Sequence, residues 1–452
     1  MNLRTLLTYG FALGVSTTLL LFTVHQSQVP KMLYTSISRR NDIFQANLPN
    51  NNSHRRPEME SVSTSCVPQK KFVFIRTHKT GSTTTINIFQ RYAINNKLKV
   101  LMPVGPGALS WPFPPEENEF VHMPDEEYDT LFHHFVYNKT WLRSKFPPET
   151  KYISILRQPF GHLKSQINYH HLPMVLGIQD KTNPIKKFLQ DPWQYRNRSE
   201  TFFPHVNITW DGTRNPMTFD MGWPAERADE EEEARKYISK LDSNFTLVMI
   251  LEHLDESVVL LRRLMCWELR DVLFYSKSKN SRGYPYKTYV ATPEEQENHR
   301  RWSAVDYMLY NTFNNSLWQK INAQGPDFYN ELKYFRRIKI DVSDFCERAM
   351  KGRHVDKQAM VITESKWNPE FEVDKTYCWY MTRPKAYHLD IEIKGRRYTK
   401  EEMSYSVMTI LSNYRLLHRG KTTFKNKHLA RAAGIKGLPT KRLHVDRSVL
   451  EH

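Results

Sequence analysis

Short apolar runs alternate with amphipathic stretches along most of the chain. The runs with the length and composition of buried strands are 72–75, 97–102, 130–137, 151–156 and 245–251. Apolar residues at helical spacing predict helices at 160–170, 229–241, 255–265 and 300–321, and one that contains Ile86, Ile88, Phe89 and Tyr92. Strands that alternate with helices predict an α/β fold, with a doubly wound parallel sheet flanked by helices.

The loop after the first run has the residues of a phosphate-binding site. Residues 77–83 read Thr-His-Lys-Thr-Gly-Ser-Thr and precede a helical pattern. A helix that starts there directs free N–H groups and a positive dipole end at an anion. Lys79 adds a positive charge, and Ser82 and Thr83 add hydroxyl donors. Because Lys79 precedes the glycine, Gly81, the spacing is not that of a Walker A loop, which argues against a nucleoside triphosphatase.

A second set of anion ligands follows the run 151–156. Arg157 ends this run, and Ser165 lies eight positions later on the predicted helix. A guanidinium binds phosphate through two parallel hydrogen bonds, and a hydroxyl can complete the site. Together with the first loop, this pair predicts a nucleotide with two separated phosphate groups. The basic loop 277–287 is either a solvated loop or a lid that reaches a nucleotide phosphate through Lys279 or Arg282.

Two adjacent histidines, His133 and His134, lie in the run 130–137. Side chains alternate along a strand, so one histidine faces inward and the other outward. Two ligands of one metal ion converge, which makes metal binding by this pair improbable. A structural histidine and a base that faces a cleft both remain open. We expect a site without a metal, because no carboxylate cluster and no Cys/His spacing in the chain calls for one.

Composition allows a large folded body and places much of the positive charge at one end. The 452 residues, 40% hydrophobic and 13% aromatic, suffice for one large α/β domain or two smaller ones. The formal net charge is +17, and residues 415–447 contain ten Lys or Arg against one acidic residue. Residues 415–452 are therefore predicted to be a solvated basic tail. We do not expect a nucleic-acid partner, because no recognition module is present.

The N-terminal residues predict a membrane anchor. Residues 6–24 are uncharged and mostly apolar, near the length that spans a bilayer, and Arg4 precedes them. This pattern predicts a cytosolic stub at 1–5, a signal-anchor helix at 6–24 and a lumenal body in a type II orientation. A cleaved signal peptide is the competing interpretation. Residues 25–65, rich in Ser, Asn, Pro and Arg, predict a flexible stem before a folded domain at 66–414.

Sequons and cysteines agree with a lumenal body. Asn-x-Ser/Thr sequons, which predict glycosylation, occur at Asn51, Asn138, Asn197, Asn207, Asn244 and Asn314. The four cysteines could form two disulfides, although spacing does not settle the pairing. Cys346–Cys378 is the preferred bridge, since both lie in the C-terminal third. Cys266, in an apolar run, could instead be a buried thiol.

The two anion motifs resemble a known family. Residues 77–83 in a strand–loop–helix, followed by Ile-Leu-Arg-Gln-Pro at 155–159 and by Ser165, resemble the nucleotide motifs of Golgi carbohydrate sulfotransferases. The resemblance is strongest to the galactose-3-O-sulfotransferase family, in particular its galactosylceramide (cerebroside) sulfotransferase members. It extends through 252–275 and from Trp302 onward, and covers most of residues 70–350.

The resemblance implies a sulfotransferase fold and a Golgi enzyme with its catalytic domain in the lumen. It also implies transfer of a sulfuryl group from 3′-phosphoadenosine 5′-phosphosulfate to the 3-hydroxyl of a terminal galactose on a glycolipid or glycan. The alternatives are sulfation of another carbohydrate, such as a glycosaminoglycan, and an inactive glycan-binding protein.

The resemblance also implies roles for individual residues. Those that would hold the 5′-phosphosulfate are Thr77, His78, Lys79, Thr80, Gly81, Ser82 and Thr83. Arg157 and Ser165 would hold the 3′-phosphate. His78 is the first choice of catalytic base, and His134 is the second choice or positions the acceptor. Lys79 would neutralise the charge on the departing phosphate oxygen.

Overall fold

The computed structural model describes residues 66–103, 109, 111–117, 120–122, 125–180, 182–196, 210–277, 283–351 and 359–382. The predicted stub, anchor, stem and basic tail lie outside these residues, as do Asn51, Asn197, Asn207, Lys279 and Arg282. Within the described ranges, no helix combines the length and the apolar character needed to cross a membrane.

In the described part of the chain, four parallel strands form a central sheet in the order β2-β1-β3-β4. These strands are β1 (Phe72–Ile75), β2 (Thr130–Leu131), β3 (Lys151–Leu156) and β4 (Leu247–Ile250). Nearly all of their side chains are buried, as expected for a parallel sheet that is covered on both faces. The predicted α/β class is therefore confirmed for this part of the chain.

The strand order places a ligand crevice between β1 and β3. The chain passes from β1 to β2 on one side and then returns to the other side to form β3 and β4. Open α/β sheets bind ligands at the carboxyl ends of the strands where the order reverses in this way. The loop after β1 and the first residue after β3 both lie at that position.

Helices flank the sheet. In chain order they are α1 (Ser82–Asn95), α2 (Lys139–Lys145), α3 (Pro159–Tyr169), α4 (Leu172–Leu176), α5 (Pro184–Gln190), α6 (Pro216–Asp220), α7 (Glu231–Asn244), α8 (Leu254–Met265), α9 (Leu269–Val272), α10 (Pro293–Trp302), α11 (Ala304–Asn322), α12 (Asp327–Met350) and α13 (Lys375–Thr382). An antiparallel hairpin of β5 (Ala359–Ile362) and β6 (Phe371–Asp374) precedes α13.

Two apolar clusters hold these elements together. The larger one surrounds the sheet, where the Phe74 ring of β1 stacks 4.5 Å from the Phe89 ring of α1. The smaller one joins α3 to α4, α5 and α10 through buried residues such as Ile167, Phe188 and Trp302. The smaller cluster thereby fixes α3, the helix that follows Arg157, on the far side of the crevice.

Three predicted elements differ from the structure for tertiary reasons. Residues 97–102 form no strand, although Val100 makes an isolated bridge with Thr130. The run 130–137 leaves the sheet after its first two residues, and the Tyr137 N–H donates to the Asp220 carbonyl of α6 instead. The predicted helix 300–321 is two helices separated at Ser303, whose hydroxyl accepts a hydrogen bond from the Asn215 N–H (2.9 Å).

Both pairs of cysteines are bonded. Cys346 of α12 is joined to Cys378 of α13, with a Cα–Cα distance of 4.9 Å. Cys266 is not a free thiol, because it is joined to Cys66 (Cα–Cα 5.6 Å). Beside this second bridge, the Gln69 N–H donates to the Met265 carbonyl and the Trp267 indole N–H donates to the Gln69 carbonyl, each at 2.9 Å.

The described sequons occupy different environments. Asn138 is exposed at the start of α2, where its side-chain oxygen accepts from the Trp141 N–H (3.0 Å). Asn244 ends α7 and Asn314 lies inside α11, and both are half-buried. Glycosylation at these positions stays a prediction.

Candidate active site

The loop after β1 is held against the sheet by two buried hydroxyls. The Thr77 hydroxyl donates to the Ile155 carbonyl of β3, and the Thr80 hydroxyl donates to the Thr77 carbonyl (3.1 Å). Both side chains are fully buried, so they shape the loop from within. Lys79 and Gly81 adopt left-handed backbone conformations, with φ of 56° and 76°. Such alternation turns backbone N–H groups toward a common point and forms a concavity that suits an anion.

Gly81 is required by both its backbone angle and its surroundings. A Cβ atom at this position would lie 2.5 Å from Cδ1 of Leu251, the residue that follows β4. No L-residue fits that space without displacing Leu251. The loop, the end of β4 and the start of α1 therefore meet closely at Gly81.

Positive charge gathers at this crevice. The Arg157 guanidinium donates to the Lys79 carbonyl (3.3 Å), which joins the two motifs predicted to bind phosphate. Burial, and then the nearby Arg157 charge, lowers the pKa of Lys79, and burial lowers the pKa of Arg157. Beneath the loop, Arg76 donates to the Ser82 hydroxyl (3.4 Å), and burial lowers its pKa to about 10.

None of Arg76, Lys79 and Arg157 is within 4.0 Å of a carboxylate in the described part of the chain. Burial of cations without a carboxylate partner is unfavourable, and an anion bound beside them would offset this cost. The carboxylate of Glu252 partly offsets the pKa shift of Arg157, but it accepts the Gln158 N–H (3.1 Å). The charges that line this crevice are therefore suited to an anionic ligand.

Helix α3 provides the other wall of this anion site. A Cβ at Gly161 would lie 3.4 Å from Nε of Arg157, so the guanidinium packs over the first turn of α3. Ser165 follows one turn later on the same face and is half-buried. Lys164 donates to the Lys287 and Tyr289 carbonyls (3.0 and 3.2 Å), which ties the described end of the basic loop to α3.

His78 is held by a buried carboxylate that the sequence did not identify. The His78 N–H donates to Oδ2 of Asp220 (2.7 Å), and its ring Nδ1 lies 3.0 Å from the same oxygen. The Trp111 indole N–H donates to Oδ1 of Asp220 (2.8 Å). Only 2% of Asp220 is exposed, so these contacts occur in a site with little water.

His134 stacks on His78, with ring centroids 3.9 Å apart and planes 16° apart. Its Nδ1 donates to the Arg76 carbonyl (2.7 Å). Burial, followed by the neighbouring His78, holds the pKa of His134 well below its usual value. Its neighbour His133 is fully buried, whereas His134 is half-buried. His134 is thus a neutral ring beside His78.

Aromatic rings border His78 on its remaining sides. We call Trp111, Tyr169, His170 and Trp210 the aromatic wall. The Trp111 and His170 rings lie 4.2 and 6.4 Å from the His78 ring, and both contact Trp210 edge-on. The Tyr169 ring lies under the Lys79 ammonium at 4.0 Å. Burial lowers the pKa of His170 to about 4, so this wall carries no charge near neutral pH.

A network around Asp306 positions Asp220. The carboxylate of Asp306 accepts the N–H groups of Met217 (3.2 Å) and Thr218 (2.7 Å) and the Thr218 hydroxyl (2.5 Å). These bonds fix α6, at the end of which Asp220 lies. No strand or helix was predicted within residues 172–228, and Asp220 was therefore missed. The pair Asn215-Pro216 is typical of the start of a helix, so α6 could have been predicted. The contact of Asp220 with the distant His78 could not.

Within the described ranges, no group of three or more His, Cys, Asp and Glu side chains is arranged to hold a metal ion.

Comparison with known proteins agrees with the geometry. The family model described as galactose-3-O-sulfotransferase matches residues 1–398. Galactose-3-O-sulfotransferase 2 of Sus scrofa is 29% identical over 346 residues, which cover 74% of this chain and 82% of the relative. Galactosylceramide sulfotransferase of Bos taurus is 28% identical over 372 residues, 80% of this chain and 83% of the relative. Galactose-3-O-sulfotransferase 2 of Homo sapiens is 32% identical over 287 residues, 62% and 68% of the two chains.

The family match extends over every residue that the structure describes and includes both anion motifs. The chain therefore belongs to the galactose-3-O-sulfotransferase family.

Proposed function

We propose that this protein transfers a sulfuryl group from 3′-phosphoadenosine 5′-phosphosulfate to the 3-hydroxyl of a terminal galactose on a glycolipid or glycan. The observation that carries the proposal is the contact between Arg157 and Lys79 at the carboxyl ends of β1 and β3. Two partly buried cations from separate motifs meet there without a carboxylate between them. A ligand that is anionic at both ends fits this arrangement, and the family match specifies sulfuryl transfer.

The residues present fit such a donor. The first N–H groups of α1 have no partner within the helix, and with Lys79 and the Thr83 hydroxyl they would hold the 5′-phosphosulfate. Arg157 and Ser165 would hold the 3′-phosphate. Thr77 and Thr80 would contribute through the backbone alone, because their hydroxyls bond inside the protein. When bound, the nucleotide supplies the activated sulfuryl group.

The side chains around that position suit an in-line displacement. A histidine next to the loop can take the proton from the attacking galactose hydroxyl as its oxygen bonds to sulfur. The Lys79 ammonium neutralises the charge left on the phosphate as the bond between sulfur and the bridging oxygen breaks. Holding both reactants in this geometry provides much of the rate enhancement, as in phosphoryl transfer.

The aromatic wall supports a neutral acceptor. Two of its rings, Trp111 and His170, lie beside the His78 ring, and His170 is uncharged near neutral pH. The C–H edge of a galactose ring packs favourably on such faces, since an aromatic face carries partial negative charge. A glycosaminoglycan, which is polyanionic, gains nothing from an uncharged wall. This favours a neutral galactoside over the glycosaminoglycan alternative.

We also place this reaction in the Golgi lumen, with residues 6–24 as the membrane anchor. The two disulfides support this placement, because disulfides persist in oxidising compartments.

The test is transfer of radiolabelled sulfate by the full-length protein in detergent micelles. The acceptors are galactosylceramide, a lactose-type glycan and chondroitin, and the control is Lys79→Ala. We expect transfer to the galactosides and at least a hundredfold loss in the variant. Transfer to chondroitin alone would contradict the proposed acceptor. Thermal stabilisation by 3′,5′-ADP without turnover on any acceptor would instead indicate a glycan-binding protein.

A further inference from the structure

The carboxylate of Asp220 determines which nitrogen of His78 carries a proton. Oδ2 accepts the His78 backbone N–H, and Oδ1 accepts the Trp111 indole N–H. Both groups can only donate, so both oxygens act as acceptors and the carboxylate has no proton of its own to give. Nδ1 of His78, which lies 3.0 and 3.2 Å from these oxygens, must therefore donate as well. The neutral ring carries its proton on Nδ1 and its lone pair on Nε2.

We infer that Asp220 is a positioning residue that holds His78 in the tautomer required of the catalytic base. This inference rests on the proposed function and assigns the base role, which the sequence left between two histidines, to His78. The proton leaves the galactose hydroxyl as its oxygen bonds to sulfur, and it moves to Nε2 of His78. The imidazolium that forms then faces the Asp220 carboxylate, which stabilises its charge.

His134 does not meet the same requirements. Its Nε2 also carries the lone pair, because Nδ1 donates to the Arg76 carbonyl. However, its partner is a neutral carbonyl, and a positive charge on this buried ring would lie 3.9 Å from His78. Proton uptake is therefore unfavourable at His134, which serves as a neutral ring that packs on His78.

The other charged and titratable groups around His78 do not replace Asp220. The surrounding groups are Arg76 and Lys79 after β1, His134 after β2, His162 of α3 and His170, which follows α3. Burial lowers the pKa values of the three histidines, to about 3 for His162 and about 4 for His170, so they are neutral near pH 7. The loop cations oppose an imidazolium. Among the described residues, Asp220 is the carboxylate that pairs with His78.

The experiment compares Asp220→Asn with Thr218→Val in the full-length protein. Asp220→Asn keeps the shape of the side chain but replaces one acceptor oxygen with an NH₂ group. That group then faces either the His78 backbone N–H or the Trp111 indole N–H, which can only donate. Thr218→Val removes a hydroxyl bond of the same helix and leaves the carboxylate intact. We measure kcat for galactoside sulfation from pH 5 to 9, the Kd of 3′,5′-ADP, and both substitutions on a His78→Gln background.

Asp220→Asn is expected to lower kcat on the order of 10²-fold, the usual range of a general base. The acidic limb of its kcat–pH profile moves down by about one pH unit, because the imidazolium loses its ionic partner. The Kd of 3′,5′-ADP stays within about threefold, since no donor ligand is removed. Thr218→Val lowers Tm and leaves the acidic limb where it is. On the His78→Gln background, Asp220→Asn has almost no further effect.

Two results would overturn the inference. One is an acidic limb of the kcat–pH profile that does not move in Asp220→Asn. The other is a loss of kcat on the His78→Gln background as large as on the native background, which would indicate a merely structural role. A readout without turnover is the ¹⁵N spectrum of the histidine rings, in which His78 is assigned by its absence from His78→Gln. The proton is expected on Nδ1, and a proton on Nε2 contradicts the assignment. Absence of turnover on every galactoside would refute the proposed function, while this spectrum still tests Asp220.

Discussion

Replacement of Gly81 by alanine tests whether the loop after β1 owes its shape to the absence of a side chain. Gly81 has a φ of 76°, and a Cβ added there would lie 2.5 Å from Cδ1 of Leu251. Leu251 follows β4 directly and is half-buried, so its side chain must move to admit the added Cβ. We expect Gly81→Ala to distort the loop and to weaken both folding and nucleotide binding.

The structure separates the effect into two parts. A left-handed φ is unfavourable for an L-residue by about 1–2 kcal/mol. Overlap in a packed region adds about 1–3 kcal/mol. Gly325 provides a matched control, because its φ is 74° and nothing lies within 4 Å of an added Cβ. Gly325→Ala therefore measures the first part alone.

The measurement is the thermal unfolding of both variants with and without 3′,5′-ADP. A difference of about 2 kcal/mol between the variants corresponds to a Tm about 3 °C lower for Gly81→Ala than for Gly325→Ala in a body of this size. The affinity for 3′,5′-ADP falls more than tenfold in Gly81→Ala and is unchanged in Gly325→Ala. In Gly81→Ala/Leu251→Ala, the overlap is relieved, so the two substitutions are less harmful together than the sum of their separate effects.

Equal Tm values for Gly81→Ala and Gly325→Ala, with native affinity in both, would refute the argument. So would strictly additive effects of Gly81→Ala and Leu251→Ala. Either outcome would mean that the loop adapts to a side chain without loss of its anion-binding shape.

Three further predictions follow from the charges at the site. Arg157→Gln removes a charge that lowers the pKa of Lys79, so the pH above which 3′,5′-ADP binding weakens should rise in calorimetric titrations. The affinity at pH 7 falls at least tenfold, because a phosphate ligand is lost. An unchanged pH dependence of binding would contradict the contact between Arg157 and Lys79. His134→Gln lowers kcat about tenfold but leaves the acidic limb of the kcat–pH profile in place, because a ring with a pKa well below its usual value is already neutral. Burial raises the pKa of Asp306 to about 7, so the stability that its protonated form contributes is lost as pH rises through that value. Between pH 5 and 8, the Tm of the native protein should fall relative to that of Asp306→Asn. Parallel plots of Tm against pH for the two proteins would show that this carboxyl does not titrate in that range.

Local sequence patterns were sufficient for strands β1 and β3 and for the position of the loop 77–83. Strands β1 and β3 have the predicted bounds. A buried parallel strand is a continuous apolar run, which can be recognised without knowing the strands beside it. The loop 77–83 and Arg157 could be recognised for the same reason, since each follows its strand immediately. Both lie at the carboxyl edge of the sheet by chain connectivity alone.

The partner of His78 could not be read in this way. His78 and Asp220 are 142 positions apart, and their contact depends on a turn at Asn215 that is bound to Ser303. The same bonds divide a helical pattern that appears continuous across residues 300–321. Periodicity reports which face of an element is apolar, but it does not report which distant loop meets that element. Arg76 was missed for a related reason, since its position below the loop depends on its contact with Ser82, the first residue of α1.

The bridge between Cys66 and Cys266 has a mechanical consequence. It joins the chain to the end of α8 six residues ahead of β1, and the hydrogen bonds between Gln69, Met265 and Trp267 reinforce this junction. A pulling force applied to the chain before Cys66 passes through the covalent bridge into α8. Tension applied at that end is therefore not transmitted through β1, and the loop 77–83 keeps its shape under such a force.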